Sequence, residues 1–276
     1  GFNSLEQLEK DYKLPIPQRE HNPYVEAFWK WWPELYKSMD TFRITGGEPL
    51  LSKDTFKVLD EIIETDNPNK ELKLSINSNL CVDDKLIDKL IEKAKIIINE
   101  KRVKEFILYT SVDTEGKQAE FIRFGLDYKQ LFDNIDKILT EIPELTIVVM
   151  STFNIFSPFN YEKLVRKIYD YKVKHFNTTR YWNSPLILDT SYLRYPDFLS
   201  FRLLKGYLNL SYFEKLEKYM KFFSSFRSLN SYQLQEPTDS GFSLKEIEKI
   251  TRIKDMFIED SKSNENEFDP TAAIRG

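Results

Sequence analysis

The chain has 276 residues, of which 41% are hydrophobic and 30% charged, a composition typical of a soluble globular protein. Its formal net charge of -4 gives no general electrostatic attraction for nucleic acid, so we do not expect general nucleic-acid binding. No run of ~18 apolar residues occurs, and the N-terminus does not resemble a signal peptide, so no membrane partner is expected. The single cysteine, Cys81, excludes an internal disulfide and an all-cysteine metal site within these residues, and a cytoplasmic location is expected.

The first 39 residues are expected to form an N-terminal segment outside the core. Residues 1–23 are polar and contain three prolines, which indicates an irregular arm. Residues 24–37 carry aromatic side chains at helical spacing and predict an amphipathic helix, whose rings we expect to pack in the core.

From residue 40 the sequence alternates between strand-like and helix-like segments. Helices are predicted over residues 53–65, 83–98, 127–139 and 161–171. Strands are predicted over residues 40–45, 71–77, 105–113, 145–154 and, more weakly, 174–181. Strands that alternate with helices of this length indicate βαβ units and a parallel sheet, so we expect an α/β core domain over residues 40–182.

Beyond residue 182 the pattern changes. Residues 183–196 are loop-like, and the segments 198–208 and 212–226 are helical and aromatic. Ser243-Leu244-Lys245-Glu246 has the spacing of a capping box and predicts a last helix that continues through Phe257. Residues 183–276 are therefore expected to form a helical C-terminal extension.

Polar or small residues follow every predicted strand. In parallel α/β sheets, ligands bind at the carboxyl ends of the strands. The residues at these ends are Gly46, Gly47, Glu48 and Pro49; Ser75, Asn77 and Asn79; Ser111 and Asp113; Asn154; and Thr178-Thr179-Arg180. A single polar strand end is ordinary, but five together predict a site for a polar cofactor on an apolar floor.

The first of these ends carries a specific motif. Gly46-Gly47-Glu48-Pro49 directly follows a strand and precedes Leu50-Leu51 and a helix. It resembles the GGEP motif of the radical S-adenosylmethionine (SAM) superfamily, which follows the second strand of a partial (βα)6 barrel. In that family the motif receives the amino group of the SAM methionine moiety. The resemblance covers residues 20–182 and looks closest to the radical SAM proteins described as containing a twitch domain.

The same resemblance extends to later segments. The stretches 75–80 and 111–113 are similar to the family's third-strand segment and to its Ser-Ile-Asp segment. The stretch 120–125 is similar to the loop whose arginine often pairs with the SAM carboxylate. Arg123 would then bind that carboxylate as a bidentate fork, the alternative being an ordinary surface ion pair. Asn154 would lie near the ribose.

If the resemblance holds, the protein is an enzyme in which a [4Fe-4S] cluster reductively cleaves SAM to a 5′-deoxyadenosyl radical, which abstracts hydrogen from a substrate. An electron donor such as flavodoxin or ferredoxin is implied. The substrate is unknown, with a preference for a peptide or protein that rests on family analogy alone.

The chain departs from the family at the cluster itself. The family's Cys-x3-Cys-x2-Cys loop follows the first strand of the barrel, yet the only cysteine here is Cys81, and five strands are predicted where the family has six. We therefore expect a partial barrel that lacks its first strand, with the cluster ligands upstream of the given residues. The alternatives are a degenerate, non-catalytic binding or scaffold module on the same fold, and nucleotide binding without radical chemistry.

Overall fold

The computed structural model describes residues 22–176, 184–205, 207–224 and 241–263. The chain divides into two compact units, residues 1–40 and 41–276. In the first unit, helix α1 (Pro23–Ser38) begins after Asn22, whose Oδ1 accepts the backbone N–H of Tyr24 at 3.0 Å. Trp32 stacks on Tyr36 within this helix, with the ring centroids 5.4 Å apart.

The second unit is built on five parallel strands in the order β1-β2-β3-β4-β5. They are β1 (Thr41–Ile44), β2 (Lys73–Asn77), β3 (Glu105–Ser111), β4 (Thr146–Phe153) and β5 (Leu186–Tyr192). Each strand pairs with the next along the chain, so consecutive βα units lie side by side. The predicted α/β class with a parallel sheet is confirmed.

Helices connect the strands and follow the last one. They are α2 (Lys53–Glu64), α3 (Asp84–Asn99), α4 (Gly116–Ile122), α5 (Tyr128–Glu141), α6 (Tyr161–Lys174), α7 (Leu210–Ser224) and α8 (Leu244–Ser263). Short 3-10 turns occur at Pro49–Leu51, Ser157–Phe159, Asp197–Leu199 and Phe201–Leu204. Within the described ranges, every helix is too short or too polar to cross a membrane.

The two faces of the sheet have different surroundings. Side chains alternate between faces along each strand, and one set is fully buried, for example Ile76, Leu108 and Val149. The opposite set includes Arg43 and Asn77, which are exposed and half-buried. We call this second side the open face; toward the carboxyl ends of the strands it carries Arg43, Asn77, Tyr109, Ser111, Met150 and Asp189. Most of these side chains are polar, so this part of the face suits a polar ligand.

The fifth strand was predicted in the wrong place. Residue 174, the expected strand start, is the last residue of α6, and Thr178-Thr179-Arg180 lies outside the described residues. The strand lies at 186–192, within a segment that we predicted to be loop-like, and its Leu186 and Leu188 are buried against the core. The sheet therefore continues past residue 182, where the helical extension was expected to begin.

Two further predictions were wrong in detail. The stretch 120–125, which resembles a loop of the family, begins inside the short helix α4, because residues 116–122 are helical. The expected helix over 198–208 consists instead of two 3-10 turns, Asp197–Leu199 and Phe201–Leu204. Ser200 separates them in extended conformation, which prevents a continuous helix.

The buried carboxylate of Glu246 connects α8 both to α6, through an ion pair, and to the sheet, through a hydrogen bond. Glu246 and Ser243 form the predicted capping box, because Ser243 N–H donates to Glu246 Oε2 at 2.8 Å and Glu246 N–H donates to Ser243 Oγ at 3.3 Å. Glu246 Oε1 also accepts the N–H of Leu188 in β5 at 2.8 Å. Lys172 of α6 donates to Glu246 Oε2 at 3.0 Å, and both side chains are buried. One carboxylate thus connects α6, β5 and α8.

Glu246→Ala is expected to lower the free energy of unfolding by about 3–5 kcal/mol, because it leaves the Lys172 ammonium buried without its counter-ion. Urea unfolding followed by circular dichroism measures the change. Glu248→Ala, at an exposed position of the same helix, is the matched control and should change stability by less than about 0.5 kcal/mol. Equal effects of the two substitutions would contradict this role for Glu246.

Candidate active site

A cavity of about 420 Å³ lies at the carboxyl ends of β1 to β4. Six of the residues that the sequence predicted for the site line it: Gly46, Gly47, Asn77, Asn79, Ser111 and Arg123. Tyr109, Phe124 and Met150, which were not predicted, are among the other residues that line it. The volume lies in the usual range for small-molecule sites, and polar groups converge on it from the ends of β1, β2 and β3 and from Arg123 after α4.

The remaining predicted residues lie near the cavity but do not line it. They are Glu48, Pro49, Ser75, Asp113 and Asn154. Pro49 is buried as the first residue of a 3-10 turn. Ser75 is buried on β2, in register with Arg43 of β1. Glu48, Asp113 and Asn154 are engaged in hydrogen bonds that shape the loops around the cavity.

The two glycines after β1 are required by the backbone. Gly46 has φ +98° and Gly47 has φ +52°, conformations that side-chain-bearing residues rarely adopt. A Cβ atom at either position would meet nothing within 4 Å, so space does not select glycine here. The conformation turns the chain away from β1 and leaves the strand end open to the cavity.

The Glu48 carboxylate links the loops after β1 and β2. Its Oε1 accepts the N–H of Leu50 at 3.1 Å, and its Oε2 accepts the N–H of Asn79 at 2.8 Å. Both oxygens are therefore engaged with backbone amides, one of them that of the cavity-lining Asn79. The carboxylate shapes the wall of the cavity in this structure, whereas the resemblance implied direct contact with an amino group.

The loop after β2 contains an unusual backbone conformation. Leu80 has φ +56° although it is a buried leucine, which is energetically unfavourable. Its N–H donates to Ser78 Oγ at 3.0 Å, and its carbonyl accepts the buried Asn134 Nδ2 at 2.7 Å. These two bonds hold the loop so that Asn79 reaches the cavity. Sequence reasoning missed Asn134, because it lies 54 residues away on α5.

Arg123 forms an ion pair with Asp113. Its Nε and Nη2 donate to the two carboxylate oxygens of Asp113 at 2.8 and 3.1 Å, the bidentate geometry that was predicted for a ligand carboxylate. Asp113 is buried and also accepts the N–H of Thr152 at 2.7 Å. The pair anchors the loop after α4 to β4, and it leaves Nη1 of Arg123 for a ligand.

Asn154 ends β4 in a local turn. Its Oδ1 accepts the N–H of Phe156 at 2.9 Å, and its Nδ2 donates to the carbonyl of Thr152 at 3.0 Å. The side chain is buried and its hydrogen bonds are local. It therefore shapes the loop after β4.

Arg43 is the main residue of the open face that sequence reasoning did not select. Its Nε donates to Asn77 Oδ1 at 2.9 Å, and its guanidinium carbon lies 4.2 Å from the centre of the Tyr109 ring. The sequence contained a signal for Arg43: it stands two positions before Thr45, the last residue of the predicted strand 40–45 and a lining residue of the cavity, so alternation predicts both on one face.

Cys81 is half-buried beside the cavity loops, and its thiol donates to the carbonyl of Asp127 at 3.4 Å. Burial raises the pKa of the Cys81 thiol above its ordinary value. In the part of the chain that the structure describes, no three His, Cys, Asp or Glu side chains group as metal ligands. The structure therefore provides Cys81 with no metal-binding partners among those residues.

Comparison of the chain with models of known protein families and with curated proteins finds no match.

Glu48→Gln is expected to lower the free energy of unfolding by about 1–3 kcal/mol, since an amide presents only one acceptor oxygen to two backbone N–H groups. Chemical denaturation measures the loss. Glu64→Gln, at an exposed position of α2, serves as control and should stay within about 0.5 kcal/mol of the wild type. A Glu48→Gln variant as stable as the control would show that the carboxylate does not hold the loops.

Cys81 is expected to react slowly with a thiol reagent such as Ellman's reagent. Only the thiolate attacks the disulfide of the reagent, and burial disfavours the thiolate of Cys81. The rate at pH 7.5 is measured on the native protein and on the same protein in urea, which serves as the reference for an exposed thiol. Native Cys81 should react several-fold more slowly. Equal rates would contradict the raised pKa.

Proposed function

We propose that the cavity binds S-adenosylmethionine and that the chain is the sheet-bearing part of a radical SAM enzyme. The observation that carries the proposal is the Gly46-Gly47-Glu48-Pro49 turn, which follows a parallel strand and borders a cavity lined by polar strand ends. In the same proposal the five strands are part of a (βα)6-type barrel without its first strand. The sequential strand order supports this, since consecutive neighbouring βα units are how such barrels are built.

The residues of the cavity fit the SAM molecule chemically. Its ammonium group needs acceptors, which the backbone carbonyls of the glycine turn would supply, and its carboxylate needs donors such as the Nη1 group of Arg123. Asn77, Asn79 and Ser111 offer further donors and acceptors for the ribose and base. The ring of Phe124 is fully exposed at the cavity, where it would provide a surface on which an adenine base can stack.

The chain does not fit a [4Fe-4S] cluster by itself. Such a cluster in this family is held by three cysteine thiolates, and the 276 residues contain one cysteine. Its half-buried thiol with a raised pKa is poorly suited even as a single ligand. Reductive cleavage of SAM, the substrate radical chemistry and an electron donor such as flavodoxin or ferredoxin therefore belong to the proposal only if cysteines from outside these residues complete the site.

The single cysteine also supports a second candidate, a non-catalytic binding module on the same fold. The two candidates differ in one product. An intact protein with its cluster, incubated anaerobically with SAM and dithionite, would cleave SAM to methionine and 5′-deoxyadenosine if it is an enzyme, and a binding module would form no 5′-deoxyadenosine. A substrate of the peptide or protein class remains part of the enzyme proposal.

Calorimetric titration with SAM tests the shared claim of cofactor binding. The wild type should bind SAM, and Ser111→Leu should weaken binding at least about tenfold, because the larger side chain occupies the cavity. Ser191→Leu is the matched control, since Ser191 is exposed on β5 and does not line the cavity. Its affinity should equal that of the wild type.

Failure of the wild type to bind SAM would exclude the proposed cofactor. Binding by Ser111→Leu with unchanged affinity would place the SAM site elsewhere in the chain. Circular dichroism of both variants ensures that a lost affinity does not come from unfolding.

A further inference from the structure

The side chain of Arg43 lies across the open face of the sheet and is held from three strands. Its Nε donates to Asn77 Oδ1 in β2 at 2.9 Å, and its guanidinium lies over the ring of Tyr109 in β3. Its Nη2 lies 3.7 Å from Met150 Sδ in β4, which is a weak acceptor. These three partners all line the cavity, and the guanidinium of Arg43, which does not itself line it, lies against them in a defined orientation.

The carboxylates around this cavity are already satisfied. Asp113 is paired bidentately with Arg123, and Asp189 of β5 is paired with Lys249 of α8. Both oxygens of Glu48 accept backbone N–H groups. Within the described ranges, Arg43 itself has no carboxylate within ion-pair distance.

The free part of the guanidinium is the part that binds oxyanions. Nε is occupied by Asn77, whereas the terminal nitrogens have no oxygen acceptor among the described residues. A guanidinium that is stacked on a ring and fixed by one hydrogen bond loses little side-chain entropy when it binds a ligand. Two terminal nitrogens in one plane match the two oxygens of a carboxylate or phosphate group.

We propose that Arg43 binds the carboxylate or phosphate group of a second small molecule, one that occupies the cavity beside the proposed SAM. The inference rests on the proposed function for the identity of the first ligand. The guanidinium of Arg43 reaches toward the carboxyl ends of the strands, because its partner Asn77 stands two residues beyond Ser75, the register partner of Arg43. Arg123 is the proposed partner of the SAM carboxylate, so the guanidinium of Arg43 is available for a second anion.

The test uses inorganic phosphate as the probe of the anion position and SAM as the probe of the cofactor position. Phosphate binding is followed by the ³¹P line width, and SAM binding is followed by calorimetry. Arg43→Gln removes the guanidinium, and Arg43→Lys keeps the positive charge without the paired terminal N–H groups. Arg166→Gln removes an exposed arginine of α6 and is the matched control. Thermal unfolding of each variant excludes loss of fold as the cause.

Phosphate should bind the wild type and the Arg166→Gln variant equally. Its affinity should fall at least about tenfold in Arg43→Gln and less in Arg43→Lys, while SAM affinity stays within about threefold. Equal loss of phosphate and SAM affinity would show that Arg43 holds the carboxylate of SAM, and this would overturn the second-molecule assignment. Absence of phosphate binding to the wild type, or unchanged binding to Arg43→Gln, would overturn the anion site. Phosphate binding without SAM binding would instead overturn the proposed cofactor and leave the anion site intact.

Discussion

The alternation of side chains along five parallel strands is the constraint on which the rest of the structure depends. One set of side chains, such as Ile76 and Leu108, is buried beneath helices and supplies the hydrophobic free energy that holds the sheet. The other set is consequently free to be polar. Because all five strands run in one direction, their polar carboxyl ends and the loops that follow them meet at a single edge.

The loops at that edge are shaped by hydrogen bonds between distant parts of the chain. Glu48 joins two loops through backbone amides, Asn134 holds Leu80 in a left-handed conformation, and Asp113 joins Arg123 to β4. Each of these side chains is polar and close to the cavity, yet each acts on backbone or on another side chain. The residues left to contact a ligand are fewer than the polar residues in the neighbourhood.

Local patterns in the sequence predicted the first four strands, the longer helices between them and the capping box at Ser243 and Glu246, because periodicity and capping are properties of neighbouring residues. The fifth strand was misplaced because its apolar run, residues 186–188, is short and is bordered by Pro185. The strand is stabilised by long-range partners: the Pro185 carbonyl accepts the N–H of Ile147, and Glu246 accepts the N–H of Leu188. Such contacts leave no local pattern.

For the candidate site, the sequence predicted the positions of several residues but not their hydrogen-bond partners. Asn77, Asn79 and Ser111, which strand-end positions indicated as site residues, line the cavity. The partners of Glu48 and Arg123 were not predictable, since a carboxylate or guanidinium has the same sequence signature whether it binds a ligand or a neighbouring residue. The Gly46-Gly47 turn shapes the cavity through its backbone conformation. The residues around the turn determine which of its backbone groups a ligand could contact.

Hydrogen–deuterium exchange with and without SAM tests the central claim most directly, because it reports where a ligand binds without altering the chain. If the strand-end cavity is the cofactor site, added SAM will slow exchange of the backbone amides at residues 45–47, 77–80 and 123–126. The α7–α8 pair will exchange as before. Protection confined to α7 and α8, or no protection at saturating SAM, would contradict the assignment of this cavity as the site.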